Sequence, residues 1–481
     1  VRFFLDGRCQ TKTTKNMAGV LPSNVSFFMQ RLQGVSVSHF KINPPSNDTA
    51  TANKILRFEL PSNSLINFKS LRMFANASVD KTAAAGGRLP NGLYKLIERV
   101  AVYAGGTLIQ NNFQSYNLYQ TAKESLEGSK CDSVLGHPEI VRTTSYHDGS
   151  TFTGTANEKY TDVDDQFAIT SWEGLLGSLA PHVVDTGICP QITIEITLAE
   201  DTVCSSCAGI ALDGTGAADI TDANTVKASF ELTNISMQVE VLGMATSVLD
   251  QITEQRIASV GYVSLPFENV FTYVSNHQGT SRFSVNSASW DRVYLCYRDS
   301  GYATKAGAHR VPGYKKKGAF VDDESGQSGA DIDIGVPDYD RGGVLDTNRE
   351  KYISNYFRMR EPLTSASTPA TYQLQINGAT VPAFKCNRSE MYAITRNSID
   401  SYHTEHTMTL NQYVDSYFVQ CFRFCLPDSS MSRLASGLDT RSVSAQAAVE
   451  TTGLDACNLT VFAVCTSELR IGSGRAVSVI T

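Results

Sequence analysis

From Lys54 onward, apolar residues alternate with polar ones in short runs, the period-two signature of β-strands with one buried face. Ile55-Leu56-Arg57-Phe58-Glu59-Leu60 ends in the turn Pro61-Ser62-Asn63-Ser64. A second strand is predicted around Leu71–Val79, where Leu71, Met73, Ala75 and Ala77 share a face. Ile97–Tyr103 predicts a third, which turns at Gly105-Gly106 into Thr107-Leu108-Ile109. Two consecutive glycines supply the positive φ angles of a tight hairpin. The period then changes: Leu118, Tyr119, Ala122 and Leu126 lie at helical spacing and predict a helix over Tyr116–Leu126. Strands are predicted again at Gln191–Leu198 and Lys227–Leu242. After a helix-like or irregular link at about 245–258, β runs return at Val260–Val274, Arg282–Tyr297, Tyr372–Ile376, Tyr417–Leu426 and Leu459–Val464, with a final run through Leu469–Ile480. Two stretches stand apart. Residues 1–50, punctuated by Pro22, Pro44 and Pro45, carry no long periodic run and read as an N-terminal arm. Residues 299–350 are crowded with Gly, Asp and Lys and read as a surface loop, of a length uncommon without a function.

One order of elements occurs twice. Val100-Ala101-Val102-Tyr103-Ala104-Gly105-Gly106-Thr107-Leu108-Ile109 is followed by Leu118-Tyr119-Gln120-Thr121-Ala122-Lys123-Glu124-Ser125-Leu126. In the second half, Tyr372-Gln373-Leu374-Gln375-Ile376-Asn377-Gly378-Ala379-Thr380-Val381 is followed by Met391-Tyr392-Ala393-Ile394-Thr395-Arg396-Asn397-Ser398-Ile399. Tyr119 matches Tyr392, Lys123 matches Arg396, Ser125 matches Ser398 and Leu126 matches Ile399. The offset is about half the chain, far beyond any solenoid period. It predicts two copies of one β-domain, each with a helix after a hairpin: 51–245 and 246–481, behind the arm 1–50.

These residues resemble the double jelly-roll major capsid proteins of small double-stranded DNA viruses of eukaryotes, of polinton-like virus and virophage type. Tyr372-Gln373-Leu374-Gln375-Ile376-Asn377-Gly378 is similar to the strand-turn of the family's second roll. Ser436-Gly437-Leu438-Asp439-Thr440-Arg441-Ser442 is similar to its late loop. The similarity spans roughly residues 50–481 as pattern more than identity. It implies an all-β fold of two tandem eight-stranded jelly-roll sandwiches with short helices in their loops. It further implies a homotrimeric, pseudo-hexameric capsomer that tiles an icosahedral shell around double-stranded DNA, no enzymatic activity, no cofactor, and penton and minor capsid proteins as partners.

Composition narrows the picture. Only 19 % of the 481 residues are charged, below the average soluble domain, and the net charge is −7. That balance excludes a chain coated all over for nucleic acid. The arm is the exception. Between positions 1 and 41 it carries Arg2, Arg8, Lys12, Lys15, Arg31 and Lys41 against Asp6, an excess of five positive charges. With Phe27, Phe28, Met29 and Leu32 as apolar anchors, it reads as a strap across the domain base or an inward tail near packaged DNA. No run of 18 apolar residues exists for a membrane span, and Val1–Asp6 is too soon charged for a signal peptide. Eleven scattered cysteines, several inside apolar runs, read as buried free thiols in a reducing compartment. Sequons at Asn24, Asn47, Asn76, Asn234, Asn387 and Asn458 weigh little without a secretory signal.

Catalytic and metal signatures are missing. No P-loop, H-E-x-x-H or G-x-S-x-G occurs. Cys204-Ser205-Ser206-Cys207 lacks the second pair a zinc site needs, and Cys421 and Cys425 are far along the chain. His403 and His406 read as a surface pair. Asp162, Asp164 and Asp165, and likewise Asp322, Asp323, Glu324, Asp331 and Asp333, lack the glycine and closing glutamate of an EF-hand and read as solvated acidic loops. Lys315-Lys316-Lys317 reads as a loop-tip cluster. No catalytic, cofactor-binding or metal-binding residue is therefore assigned. Two rival readings are a tandem-sandwich carbohydrate-binding or adhesin protein and a β-sandwich enzyme such as a peptide amidase. The first has few aromatic platforms, with only Trp172 and Trp290; the second has no assembled His-carboxylate or carboxylate pair.

Overall fold

The computed structural model describes residues 36–45, 49–79, 87–90, 92–110, 113–127, 167–206, 227–243, 254–304, 308–310, 352–365, 369–399, 410–425, 437–441 and 445–481. Its first half holds eight principal strands: β1 (Ser36–Ile42), β2 (Ile55–Glu59), β3 (Leu65–Val79), β4 (Ile97–Ala104), β5 (Thr107–Gln110), β6 (Phe167–Ile169), β7 (Ile192–Leu198) and β8 (Phe230–Gly243). Helix α1 (Tyr116–Glu127) follows β5. The second half holds β9 (Tyr262–His277), β10 (Thr280–Val285), β11 (Trp290–Asp299), β12 (Thr371–Ile376), β13 (Ala379–Cys386), β14 (Val419–Arg423), β15 (Ala445–Thr452) and β16 (Cys457–Gly472). Helices α2 (Arg388–Asn397) and α3 (Leu410–Ser416) lie between β13 and β14, and β17 (Val477–Ile480) ends the chain.

The first half folds into sheets of order β1-β8-β3-β6 and β2-β7-β4-β5. The second forms β9-β16-β11-β14 and β10-β15-β12-β13. Adding eight to each strand number converts one half into the other. Both are antiparallel jelly rolls with consecutive strands shared between two sheets. The duplication predicted from the hairpin-helix repeat is therefore present in the topology. Both hairpins are built alike: Gly105 and Gly106 have φ of 56° and 86°, and Asn377 and Gly378 have 51° and 83°. Paired positive φ values define the type I′ turn whose twist matches its flanking strands. A helix follows each hairpin. α2 begins with a capping box in which the Asn387 side chain accepts from the Glu390 backbone N–H and the Glu390 carboxylate from that of Asn387.

Several boundaries differ from the periodicity. The apolar run over 282–297 is two strands, β10 and β11, which belong to different sheets and are separated at 286–289. Strand β3 starts at Leu65, six residues before the predicted start, and β16 runs unbroken from Cys457 to Gly472. Part of the stretch read as an arm is sheet: β1 pairs with β8 over Ser36–Ile42, and Thr49–Thr51 also pairs with β8. β1 was hidden because six of its seven residues are exposed, so no buried face imposes alternation. Strand β15 was missed because Ala447 and Ala448 blunt its pattern, although Ala447 and Val449 are buried. The rest of the arm, residues 1–35, lies outside the described residues. Most of the predicted loop 299–350 does too, and with it the expectation that this loop faces the outer, solvent side of a shell. Ala308–Arg310 and Tyr352–Ser354 pair as an antiparallel ribbon that brings the base of that excursion together.

The cores are not separate. One cluster is confined to the second roll and includes Val293, Leu295, Tyr297, Leu459, Val461 and Ala463. The other fills the first roll and continues into the second through Leu265, Phe267, Tyr294, Phe462, Leu469 and Ile471. By strand alternation Leu469 and Ile471 share a face with Ala463 and Cys465, yet they pack on the first roll. The β9–β16 ribbon thus outruns its own core, and β17 pairs with β16 at this end. Leu469, Ile471 and Val477 close an apolar space against Phe68, Leu175 and Cys189. Removing residues 473–481 should destabilise the chain by on the order of 2 kcal/mol, the worth of one or two aliphatic side chains. It should also expose Cys189 to alkylation, followed by mass spectrometry. An unchanged unfolding midpoint with Cys189 still protected would show that the first roll closes without this hairpin.

Candidate assembly surfaces

The first surface is the seam between the rolls. The sheet β9-β16-β11-β14 is buried on both faces. Val293, Leu295 and Tyr297 on β11 point into the second core, while Tyr294 and Cys296 point toward the first roll. This explains the unbroken apolar run Val293-Tyr294-Leu295-Cys296-Tyr297: a strand covered on both sides loses the period-two pattern. The first roll presents α1 to this sheet. The Tyr119 ring meets Tyr294 edge-on at 5.6 Å and Phe462 at 5.2 Å between centroids. Its hydroxyl donates to Glu268 at 3.3 Å. Backbone contacts pin the rest: Ala180 N–H donates to the Pro266 carbonyl at 2.9 Å, and Glu268 N–H to Ser178 Oγ at 2.7 Å. Thr272 Oγ1 donates to the Gln114 carbonyl at 2.9 Å.

A polar cluster is set into this apolar seam. Glu98, on β4 of the first roll, accepts from Tyr356 Oη of the second at 2.9 Å and from Ser115 Oγ at 3.2 Å. Arg298, 1 % exposed, lies 3.6 Å from the Tyr302 ring centroid and donates to Thr460 Oγ1 at 3.2 Å and the Tyr356 carbonyl at 3.4 Å. Burial raises the Glu98 carboxyl above the ordinary carboxylate value; the hydrogen bond from Tyr356 and the charge of Arg298 pull the other way and offset this only in part. Periodicity missed this cluster. The available signal was a charged residue inside an apolar strand, as in Ile97-Glu98 and Tyr297-Arg298.

The second surface is the outward face of β1-β8-β3-β6, the counterpart of the seam sheet. Here β3 alternates, with Met73, Ala75 and Ala77 buried and Arg72, Phe74 and Asn76 outward. The edge strand β1 is exposed on both sides: Val37 on this face is 42 % exposed, and Phe40, which pairs with the core residue Val239, is 47 % exposed on the other.

The residues singled out for chemistry fall as follows. Cys204 and Cys421 are buried, and Cys425 is partly exposed; Cys207 is outside the described residues. Seven of the eight described cysteines are buried, and burial pushes the thiols of Cys189 and Cys386 up to about 11 and those of Cys296, Cys457 and Cys465 to about 12. Such thiols behave as small hydrophobes and not as nucleophiles. Among the described residues no group of three or more His, Cys, Asp or Glu is placed to hold a metal ion. His403, His406, both acidic stretches and Lys315-Lys316-Lys317 lie outside them. Both tryptophans are buried, with Trp172 Nε1 donating to the Leu71 carbonyl and Trp290 Nε1 to that of Arg292. Neither offers a face to a sugar. No helix among the described residues is long and apolar enough to cross a membrane.

No protein-family model matches the sequence, and no curated protein matches it. Solved structures do match the fold. PBCV-1 VP54, fitted into a cryo-EM reconstruction of the virophage Sputnik, aligns at 11 % identity over 94 % of this chain and 98 % of its own, with a TM-score of 0.52. The quasi-atomic model of the PBCV-1 virus capsid aligns at 12 % identity over 93 % and 97 %, with a TM-score of 0.50. The Faustovirus major capsid protein aligns at 11 % identity over 93 % and 94 %, with a TM-score of 0.47. The chain therefore has the double jelly-roll fold of viral major capsid proteins.

Two measurements probe the seam. Tyr119→Ala should cost about 3–5 kcal/mol in chemical denaturation, the range for deleting a buried aromatic ring. Tyr119→Phe should cost about 1 kcal/mol or less, since it keeps the ring and removes the long hydrogen bond to Glu268. Equal losses would mean that the hydroxyl, not the ring, holds the seam. The second concerns pH. A raised folded-state carboxyl favours the protonated form, so its contribution to stability is full below about pH 4.5 and is lost as pH rises through the folded value. Glu98→Gln should therefore become progressively more stable relative to the parent chain as pH rises above 4.5, read from thermal melts across pH. A constant difference would remove Glu98 from the pH response.

Proposed function

We propose that this chain is a viral major capsid protein that assembles as a homotrimer of pseudo-hexagonal outline and tiles an icosahedral shell around double-stranded DNA. One observation carries the reading. Two rolls of identical strand order meet face to flank, the outward sheet of one against the helix-bearing side of the other. Such a contact is heterologous, and a heterologous contact repeated between copies closes into a ring when the rotation permits. Three chains of two rolls each present six similar sides, which is the geometry that tiles. The role is structural, without a reaction or a cofactor, and the chain works in the virion after assembly in the host cell. Penton and minor capsid proteins fill the positions that a six-sided unit leaves open. Residues 1–35, with their basic excess, join neighbouring capsomers and touch the genome through non-specific, salt-sensitive contacts.

The adhesin alternative loses its best platform with both tryptophans buried. Light scattering and negative-stain microscopy of the purified chain decide the matter. The expected result is a species of three chains with a hexagonal outline, and a chain lacking residues 1–35 should keep that mass but form shells less readily, most clearly at low salt. A stable monomer at all concentrations would refute the capsomer.

A further inference from the structure

The second roll buries a histidine at one end of its core. His277 is the last residue of β9 and is fully buried. Its Nδ1 lies 2.8 Å from Ser281 Oγ on β10, and its Nε2 lies 2.7 Å from Thr451 Oγ1 on β15. β9 belongs to one sheet of the roll, β10 and β15 to the other. The imidazole therefore ties the two sheets together where the chain crosses between them through Gln278-Gly279. Its neighbours are packed around it. Ser281 Oγ is 3.0 Å from Ser275 Oγ, and Thr451 N–H donates to the Gly279 carbonyl at 2.8 Å. The Tyr297 ring meets the imidazole edge-on at 6.0 Å between centroids. Cys457, also fully buried, stands opposite His277 in the β9–β16 ladder. Asp299, where the long excursion leaves β11, pairs with Cys457 in turn, so this end of the roll is the one that carries the excursion.

Among the described residues no carboxylate is bonded to this ring. β9 carries no charged residue from Asn269 to His277. Arg282 on β10 and Glu450 on β15 alternate with the inward Ser281 and Thr451 and point out of the roll. On β11, Arg298 faces the seam, and Asp299 is held by Arg360 at 2.7 Å. Glu361 is bonded to Tyr372 and Arg388, and Asp455 in the β15–β16 turn is exposed. The titratable groups that face the ring, Cys457 and Tyr297, are uncharged: burial pushes the thiol to about 12 and the phenol well above its ordinary value. A neutral imidazole has one N–H and one lone pair, so one of the two hydroxyls accepts from the ring and the other donates to it. A second proton makes both nitrogens donors. The donating hydroxyl must then turn away, and a positive charge stands in the core without a counter-ion. Ser281 can turn to Ser275, whereas Thr451 Oγ1 has no second bond among the described residues. Burial holds the imidazole below its ordinary value of 6.5. The neutral ring thus contributes its full stability above about pH 6.5, and the contribution is lost as pH falls toward the folded value. Glu98 in the seam runs in the opposite direction.

We propose that His277 is an acid-released latch: protonation of its ring breaks the tie between β9 and β15, and the β9–β10 turn lifts off this end of the second roll while the seam stays closed. The latch works within one chain and needs no assembly. It loosens the base of the excursion and leaves the contact between the rolls, which Tyr119, Tyr294 and Phe462 hold, in place.

Cys457 reports the opening, and Cys296 in the seam is the internal control. The full-length chain is treated with dithiodipyridine, which reacts with thiols in acid as well as at neutral pH, and the labelled cysteines are located by mass spectrometry. Relative to a free thiol, Cys457 is expected to react roughly tenfold faster at about pH 5 than at about pH 7.5, with Cys296 protected at both. His277→Gln keeps a donor and an acceptor but takes up no proton, so its Cys457 should react at one relative rate at both pH values. Should this variant fold poorly, Thr451→Val serves in its place: the charged ring loses the acceptor for Nε2, and the rise in Cys457 reactivity should move to higher pH. A parent chain whose Cys457 stays protected in acid overturns the latch. So does an equal rise in His277→Gln, an unmoved rise in Thr451→Val, or exposure of Cys296 together with Cys457, which would mean that the whole chain opens and not this end.

Discussion

The double burial of one sheet governs this molecule. β9-β16-β11-β14 is the inner wall of the second roll and the floor on which the first roll sits. Tyr297 and Tyr294, three residues apart on β11, are both nearly inaccessible, one in each core. A sheet with two dry faces cannot be exposed by separating the rolls without uncovering Tyr294, Phe462 and Val464 at once, at roughly 1.5–3 kcal/mol per large side chain. The rolls are therefore one cooperative body and not beads on a linker. Glu98, Tyr356 and Arg298 fix how they meet, because a buried carboxylate and guanidinium tolerate few arrangements that leave them bonded.

The duplication was legible because its carriers are local. Two positive-φ residues in each hairpin and a change from period two to helical spacing need no knowledge of the rest of the fold. Tyr372–Ile376 and Ile97–Tyr103 were read nearly to their ends for that reason. What stayed hidden depends on what covers a strand. β1 has no cover and shows no alternation; β11 has cover on both sides and shows none either. The same absence of pattern has opposite physical causes. Ala447 and Ala448 hid β15 differently: one is buried and the other partly exposed, and two alanines in a row mark neither face. The seam was invisible as a seam: the apolar run announces burial but not its partner, and a lone Glu98 in a strand gives no hint that its hydrogen-bond donor lies in the other roll.

The comparisons and the geometry support one another from different directions. Sequence identity of 11–12 % carries no residue-level inheritance, yet the alignment spans nearly the whole of both chains. Strand order is set by which faces must be dry, and many sequences satisfy that.

The ribbon that closes the first roll is made long after the rest of that roll. Leu469, Ile471 and Val477 reach a core whose earliest described strand begins at Ser36. During synthesis this roll emerges before the second but keeps an open apolar side until the second roll has been made. Contacts of such sequence separation form late and slowly. A polypeptide released before Leu469 thus has neither a finished first roll nor a complete floor for it, so the two rolls reach their final packing together.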